Sequence, residues 1–151
     1  MLRLNAPAPP LNLRNQFGIA TGLEQLRGHI VVMWWHRTIG KAGAENIARS
    51  LRDRYPDFTM RNATVVGISG DPPVANRRFQ ELLNLPFDLL SDGDGHTSDA
   101  YGVGDWWRAN PDTPLTLVLD AKGLIRANRQ IDRTEMLADI LLDDVSRATS
   151  W

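Results

Sequence analysis

The stretch that decides the fold is GHIVVMWWHRTIGKAGAENIARSLRDRY, residues 28–55. Within it, residues 30–35 are all apolar and mostly β-branched or aromatic, in a run too short for a helix. Such a run predicts a strand covered on both faces. The apolar residues that follow have the spacing of one helical face: Ala44, Ile47, Ala48, Leu51 and Tyr55. The sequence therefore predicts a central strand, a polar loop at 36–43 and an amphipathic helix, and open α/β sheets usually bind ligands at such a loop.

The remaining segments extend this pattern into one sheet. Residues 64–68 predict a second buried strand, parallel to the first. Residues 113–119 and 124–129 flank the turn DAKG and predict a β-hairpin, with its first strand antiparallel to the central one. Together with a helix near the end of the chain, these units predict a single α/β domain over residues 1–151. We expect a mixed sheet of four or five strands with helices on both faces.

Composition excludes several classes of function. The 151 residues carry a formal net charge of -1, so no overall field attracts nucleic acid or an acidic membrane surface, and neither partner is expected. No segment approaches the roughly 18 apolar residues that span a bilayer. The predicted location is the cytoplasm, although a trimmed signal or anchor would leave the same sequence. The chain contains no cysteine, which removes thiolate nucleophiles, disulfide exchange and cysteine metal sites of its own.

Six segments carry a resemblance to a known family. They are APPLNL at 8–13, LEQLRGHIVVMWW at 23–35, VVGISGD at 65–71, LPFDLLSDGDG at 85–95, AYGV at 100–103 and TPLTLVLDAKGLI at 113–125. In their order and spacing the chain resembles the redoxin group of the thioredoxin superfamily. That group contains the peroxiredoxins, or AhpC/TSA-like proteins, and the thiol-disulfide oxidoreductases of cytochrome maturation. The resemblance implies a thioredoxin-like α/β fold.

The chain departs from this family where the family's chemistry lies. Alignment on peroxiredoxins places the peroxidatic cysteine at Ala44, its threonine partner at Lys41 and the proline of the motif at Arg37. None of these three residues can act as a thiol nucleophile. Because a simple inactivating replacement would not introduce Lys41 and Arg37, we interpret the departure as native, while an engineered replacement stays the alternative.

Alignment on the thioredoxin-type pair gives a different placement. The two cysteines then fall at Gly40 and Gly43, or at Ile39 and Ala42. The peroxiredoxin arginine falls at Pro114, and a proline there resembles the thioredoxin-type members, in which its peptide bond is usually cis. We therefore predict a cis Thr113–Pro114 bond and a scaffold closer to thioredoxin-type redoxins than to peroxidases.

The candidate binding residues surround this loop. His36 has two interpretations, as a general base or ligand, or as an aromatic replacement that packs against Trp35, and we favour the second. Arg37 and Lys41 bracket the predicted helix start, where they would hold a carboxylate, phosphate or sulfate. The full candidate set is His36, Arg37, Thr38, Gly40, Lys41, Gly43, Trp106, Trp107 and Pro114. Because Glu45 and His96 have no metal-ligand spacing, neither a metal nor a cofactor is expected.

These observations give three functional hypotheses. The first is a redoxin-like module without thiol peroxidase or disulfide reductase chemistry, which binds a small anionic ligand or a protein partner through 36–43 and Pro114. In it, Trp106 and Trp107 would form a partner surface or line a groove, and a homodimer is left open. The second is a non-thiol enzyme acting on a small anionic substrate at the same loop. The third is a family member named a peroxiredoxin or thiol-disulfide oxidoreductase by likeness alone. Whether the chain is an enzyme is therefore left open at this point.

Overall fold

The computed structural model describes residues 2–36, 44–103, 115–130 and 134–148. The strands are β1 Asn12–Arg14, β2 Ala20–Gly22, β3 Ile30–Trp35, β4 Ala63–Ser69, β5 Asp88–Ser91, β6 Leu115–Leu119 and β7 Ile125–Gln130. The helices are α1 Leu23–Leu26, α2 Ala44–Asp53, α3 Tyr55–Thr59, α4 Pro73–Leu83, α5 His96–Ala100 and α6 Leu137–Ala148, the last preceded by a 3-10 turn at Thr134–Met136. Within these ranges no helix is long and apolar enough to cross a membrane.

The seven strands form one mixed sheet in the order β2-β1-β5-β4-β3-β6-β7. The strand β3 is central, parallel to β4 and antiparallel to β6. All six of its residues are buried, as expected of a strand covered on both faces. The predicted α/β class, the parallel pair and the antiparallel hairpin strand are therefore confirmed.

The prediction of four or five strands is wrong because the amino-terminal segment adds a hairpin to one edge. The strands β1 and β2 pair antiparallel from Asn12 opposite Gly22 to Arg14 opposite Ala20. In the turn between them, Asn15 Oδ1 accepts the backbone N–H groups of Phe17 and Ile19 at 2.9 and 3.0 Å. Three-residue strands are too short to show the alternation by which sequence patterns reveal a strand.

Successive residues of β3 contribute to two apolar cores on opposite faces of the sheet. Val32 and Trp34 belong to the core covered by α2, α4 and α6, whereas Met33 and Trp35 belong to the core on the other face. On the first face Gly67 of β4 makes room for an aromatic ring. A Cβ atom at this position would lie 2.9 Å from two ring carbons of Trp34 and 2.8 Å from Leu89 Cδ2. The missing side chain therefore allows the indole to lie against β4.

The predicted hairpin of β6 and β7 is organised by Asp120. Its Oδ1 accepts the backbone N–H groups of Lys122 and Leu124 at 2.9 and 3.0 Å, and Gly123 supplies the positive φ of the turn. The outer strand β7 is joined to α6, because Arg129 donates two hydrogen bonds to the carboxylate of Asp144. This ion pair thereby fixes α6 over the core that contains Val32 and Trp34.

Candidate functional site

Polar side chains gather at the carboxyl ends of three neighbouring strands. His36 directly follows β3, and Ser69 and Ser91 end β4 and β5. Ser69 Oγ donates to Asp71 Oδ2 at 3.1 Å, and Asn76 Nδ2 on α4 donates to Ser91 Oγ at 3.0 Å. Because β3, β4 and β5 are parallel, these ends meet at one edge of the sheet. This is the edge at which open α/β sheets place their sites.

The imidazole of His36 lies in an aromatic environment. It stacks on the indole of Trp34, with 4.6 Å between ring centroids, and lies 6.2 Å from the ring of Phe79. The side chain is 5% exposed, and neither ring nitrogen has a hydrogen-bond partner within the described part of the chain. Burial lowers the pKa of His36 to about 4, although the negative charge of Asp71 acts in the opposite direction. At neutral pH the ring is uncharged, with one N–H donor and one nitrogen lone pair.

His36 packs in the core as expected, but on a different ring from the predicted one. We expected contact with Trp35, its neighbour in sequence. Side chains alternate between the faces of a strand, so His36 lies on the face of Trp34. The ring of Trp35 lies on the other face, 5.3 Å from that of Tyr101 between centroids, and its Nε1 donates to Ser98 Oγ at 3.2 Å.

Two further residues also carry buried polar atoms without a partner among the described residues. They are Trp34 Nε1 and Asn76 Oδ1. Asn76 lies one helical turn before Phe79, which contacts the imidazole. A buried polar group without a partner costs roughly 1–3 kcal/mol, so the two ring nitrogens of His36 mark a place suited to hydrogen-bond a small molecule.

Of the predicted site residues, the structure describes His36 and Ala44. Ala44 begins α2 and is 4% exposed. The other predicted positions lie outside the described residues: Arg37, Thr38, Ile39, Gly40, Lys41, Ala42, Gly43, Trp106, Trp107 and Pro114. The cis Thr113–Pro114 bond lies there too, so it stays a prediction.

Sequence reasoning missed Asp71, whose charge acts on His36, and Asn76, which binds Ser91 at the same sheet edge. A signal was available for Asp71, because it closely follows the predicted strand at 64–68 and thus shares its sheet edge. Asn76 gives no such signal, since its position depends on how α4 packs. Over the described ranges, no group of three His, Asp or Glu side chains is placed to hold a metal ion.

Comparison with known proteins assigns this architecture to a family. Residues 4–128 match the sequence model of the AhpC/TSA family. The chain belongs to the AhpC/TSA family. Peroxiredoxin Q, chloroplastic, of Populus jackii is 36% identical over 121 residues, which cover 79% of this chain and 56% of that protein. Putative peroxiredoxin Q, chloroplastic, of Oryza sativa subsp. indica is 34% identical over 120 residues, 79% of this chain and 55% of that protein. The AhpC/TSA chain thus spans about half the length of the curated relatives it matches.

Solved structures support the same fold. Peroxidoxin BcpB from Mycobacterium tuberculosis superimposes with a TM-score of 0.85 at 21% identity, covering 97% of this chain and 98% of that one. The bacterioferritin comigratory protein of Xanthomonas campestris, described for alkyl peroxide reduction activity, gives a TM-score of 0.81 at 20% identity, over 91% and 92% of the two chains. The predicted thioredoxin-like fold is confirmed.

These comparisons correct two predictions made from the sequence. The relatives named above are peroxiredoxins, which contradicts the hypothesis of a binding or interaction module without peroxidase chemistry. The interpretation that placed the scaffold closer to thioredoxin-type oxidoreductases also finds no support among them. It rested on Pro114 alone, a residue that lies outside the described part of the chain.

Proposed function

We propose that this AhpC/TSA protein reduces hydroperoxides with sulfur supplied by an external low-molecular-weight thiol. The relatives named peroxiredoxin Q support hydroperoxides as the substrate class. The observation that carries the proposal is the absence of cysteine from a chain that retains the family's fold. Peroxide reduction by sulfur requires a thiolate, and in the proposed reaction a second substrate provides it.

The helix α2 offers a favourable place for that thiolate. Its ten residues carry an aligned backbone dipole, and its first N–H groups have no acceptor within the helix. A sulfur near Ala44 would experience the positive end of this dipole, which favours the thiolate over the thiol. The family resemblance places the missing cysteine at the same residue.

The reaction balances with two thiols and one hydroperoxide. The thiolate sulfur attacks one oxygen, the O–O bond breaks, and the departing oxygen takes up a proton and leaves as an alcohol or water. The sulfur is thereby oxidised to a sulfenic acid. A second thiol attacks this sulfur, forms a disulfide and releases water. The protein itself undergoes no net oxidation or reduction.

His36 has the properties needed to hold the hydroperoxide. Since the ring is neutral at pH 7, its N–H donates to an oxygen of the hydroperoxide, and its free nitrogen lone pair accepts a hydrogen bond from the hydroperoxide O–H group. The surrounding aromatic rings restrict water, which strengthens both hydrogen bonds.

The test is hydrogen peroxide consumption by the purified 151-residue chain with cysteine, glutathione or 2-mercaptoethanol as the thiol. We expect consumption above the protein-free rate with at least one thiol. His36→Phe keeps an aromatic ring but no hydrogen-bonding nitrogen, and should lower the rate at least about tenfold. The control is His29→Phe, an exposed histidine at the other end of β3. Rates equal to the protein-free rate with all three thiols would overturn the proposal.

We also retain the cytoplasm as the proposed location. Its support is the sequence composition, while the curated plant relatives are named as chloroplastic proteins. Fractionation of cells that express the untagged chain would test this location, and recovery with membranes or in the exported fraction would contradict it.

A further inference from the structure

A second cleft lies at the opposite end of the central strand from His36. Its volume is about 70 Å³, and it opens where β3 begins and β6 ends. The apolar part of its lining comes from Leu23, Leu26, Val31 and Leu119, together with Pro7 and Ala8 of the amino-terminal segment. Two cationic side chains, Arg27 and Lys122, line it as well. The cleft therefore combines an apolar surface with positive charge.

Backbone hydrogen bonds hold the walls of this cleft together. Gly28 N–H donates to the carbonyl oxygen of Ala121 at 3.1 Å and joins the end of α1 to the β6–β7 turn. Ala8 N–H donates to the carbonyl oxygen of Gly123 at 3.0 Å and joins the amino-terminal segment to the same turn. Because three separate segments are joined in this way, the cleft is formed before any ligand enters. Little conformational free energy is then lost in ordering the site when a ligand binds.

The one carboxylate in the lining does not neutralise the two cations. Asp120 is 6% exposed and accepts from Arg126 Nε at 2.8 Å, as well as from two backbone N–H groups of its own turn. Burial favours its neutral form, but these hydrogen bonds outweigh burial and lower the pKa of Asp120. Its negative charge is thus matched by Arg126. Arg27 and Lys122 have neither an ion-pair nor a hydrogen-bond partner among the side chains described.

We infer that this cleft binds a short-chain carboxylate. The carboxylate group accepts hydrogen bonds from Arg27 and Lys122, and the alkyl chain lies on Leu23, Leu26 and Val31. A fully polar anion such as phosphate fits less well, because its oxygens would lose water against the apolar lining without new partners. The volume suits a chain of a few carbons rather than a drug-sized ligand, whose pockets measure roughly 300–1,000 Å³. This site is separate from the proposed hydroperoxide site and does not depend on it.

Butyrate is a suitable probe, titrated into the ¹⁵N-labelled 151-residue chain and followed by amide NMR shifts. We expect saturable shifts at Gly28, Lys122 and Gly123, with a dissociation constant in the millimolar range. Butanol supplies the alkyl chain alone and phosphate the charge alone, and each should bind at least about tenfold more weakly. Equal affinity for phosphate would overturn the inference, because it would indicate unspecific anion attraction.

The matched variants separate the cleft from general surface charge. Arg27→Gln with Lys122→Gln removes both cations and should weaken butyrate binding at least about tenfold. Arg3→Gln with Arg78→Gln makes the same change in net charge outside the cleft and should leave the binding unchanged. Far-ultraviolet circular dichroism verifies the fold of both variants. If butyrate causes no saturable shifts, or if the two double variants bind it equally, the inference is wrong.

Discussion

His36 places a titratable ring where only its neutral form is well accommodated. Burial lowers its pKa from 6.5 to about 4, so between these two pH values the unfolded chain binds more protons than the folded one. The free energy of unfolding therefore falls as the pH falls through this window. One pKa unit corresponds to roughly 1.4 kcal/mol, so the lowered pKa of His36 has a measurable effect on the free energy of unfolding at acidic pH.

We predict that His36 alone lowers the free energy of unfolding by about 2 kcal/mol between pH 8 and pH 5. Urea denaturation at a series of pH values measures this loss in the wild type. In His36→Phe the loss should be smaller by that amount, because a phenyl ring fills the place of the imidazole without binding a proton. His29→Phe, which removes an exposed imidazole, serves as the control. Equal pH slopes for the wild type and His36→Phe would show that the buried ring does not control this dependence.

The sequence correctly predicted that the ring of His36 packs against an aromatic side chain. It named the wrong partner, Trp35 instead of Trp34. The position of His36 directly after the apolar run at residues 30–35 identified it as the end of a buried strand, because the sequence shows at which residue that run ends. The stacking partner required the alternation of β3 to be applied to the two adjacent tryptophans, and the contact with Phe79 depends on where α4 lies over the sheet. Tertiary packing of this kind leaves no mark on local sequence.

At the scale of elements, α2 retains the geometry that stabilises a thiolate although no thiol is present. The helix begins at Ala44, and its buried face of Ala44, Ile47, Ala48 and Leu51 matches the periodicity seen in the sequence. Tyr55, predicted on the same face, instead begins the separate helix α3. Strong periodicity over ten residues made this helix predictable. In contrast, β1 and β2 have three residues each, and their pairing depends on the turn at Asn15 rather than on an apolar pattern.

We predict that Ala44→Cys gives the protein a peroxidase activity of its own. The new sulfur lies in the first turn of α2, where the helix dipole lowers the pKa of a thiol and raises its reactivity at neutral pH. Hydrogen peroxide consumption with a thiol reductant should rise at least about tenfold over the wild type. The rate of alkylation by iodoacetamide at pH 7 reports the thiolate fraction directly.

Ser50→Cys is the matched control for this experiment, because it places the same sulfur on α2 but away from the amino end. Its thiol should alkylate more slowly and should not raise peroxide consumption. If the two thiols react equally fast, the helix end has no special effect. If activity appears in Gly43→Cys rather than in Ala44→Cys, the thioredoxin-type alignment of the loop is the correct one.

Across the whole molecule, sequence patterns identified the family, the class of fold and the central strands, and they failed where distant segments meet. The parallel pair of β3 and β4 follows from two apolar runs, and the β6–β7 hairpin follows from Asp120 and Gly123 in its turn. The hydrogen bond of Asn76 joins the helix α4 to the end of β5. The cleft beside Lys122 is lined by segments that are far apart in sequence. No local pattern encodes such contacts, so the sequence alone predicted neither of them.

The last helix shows how such distant contacts hold the fold together. The family match ends at residue 128, whereas α6 follows at Leu137–Ala148 and contributes Leu137, Leu141 and Val145 to the core around Trp34. Its polar attachment to the sheet is Asp144, which is 2% exposed and accepts from Arg129 of β7 at 2.9 and 2.7 Å. Because this carboxylate is buried, its charge needs these donors.

We therefore predict that Asp144→Asn lowers the free energy of unfolding by about 1–3 kcal/mol, since it keeps the shape of the side chain but removes the charge that Arg129 and Arg147 neutralise. Asp143→Asn is the matched control: Asp143 also pairs with Arg147, at 2.8 Å, but its side chain is 67% exposed. Solvent screens that pair, so its loss should cost less than about 0.5 kcal/mol. Urea denaturation at pH 7 measures both variants, and the larger loss should shrink only slightly in high salt because buried charges are screened weakly. Equal losses in the two variants would mean that α6 is held by its apolar face alone.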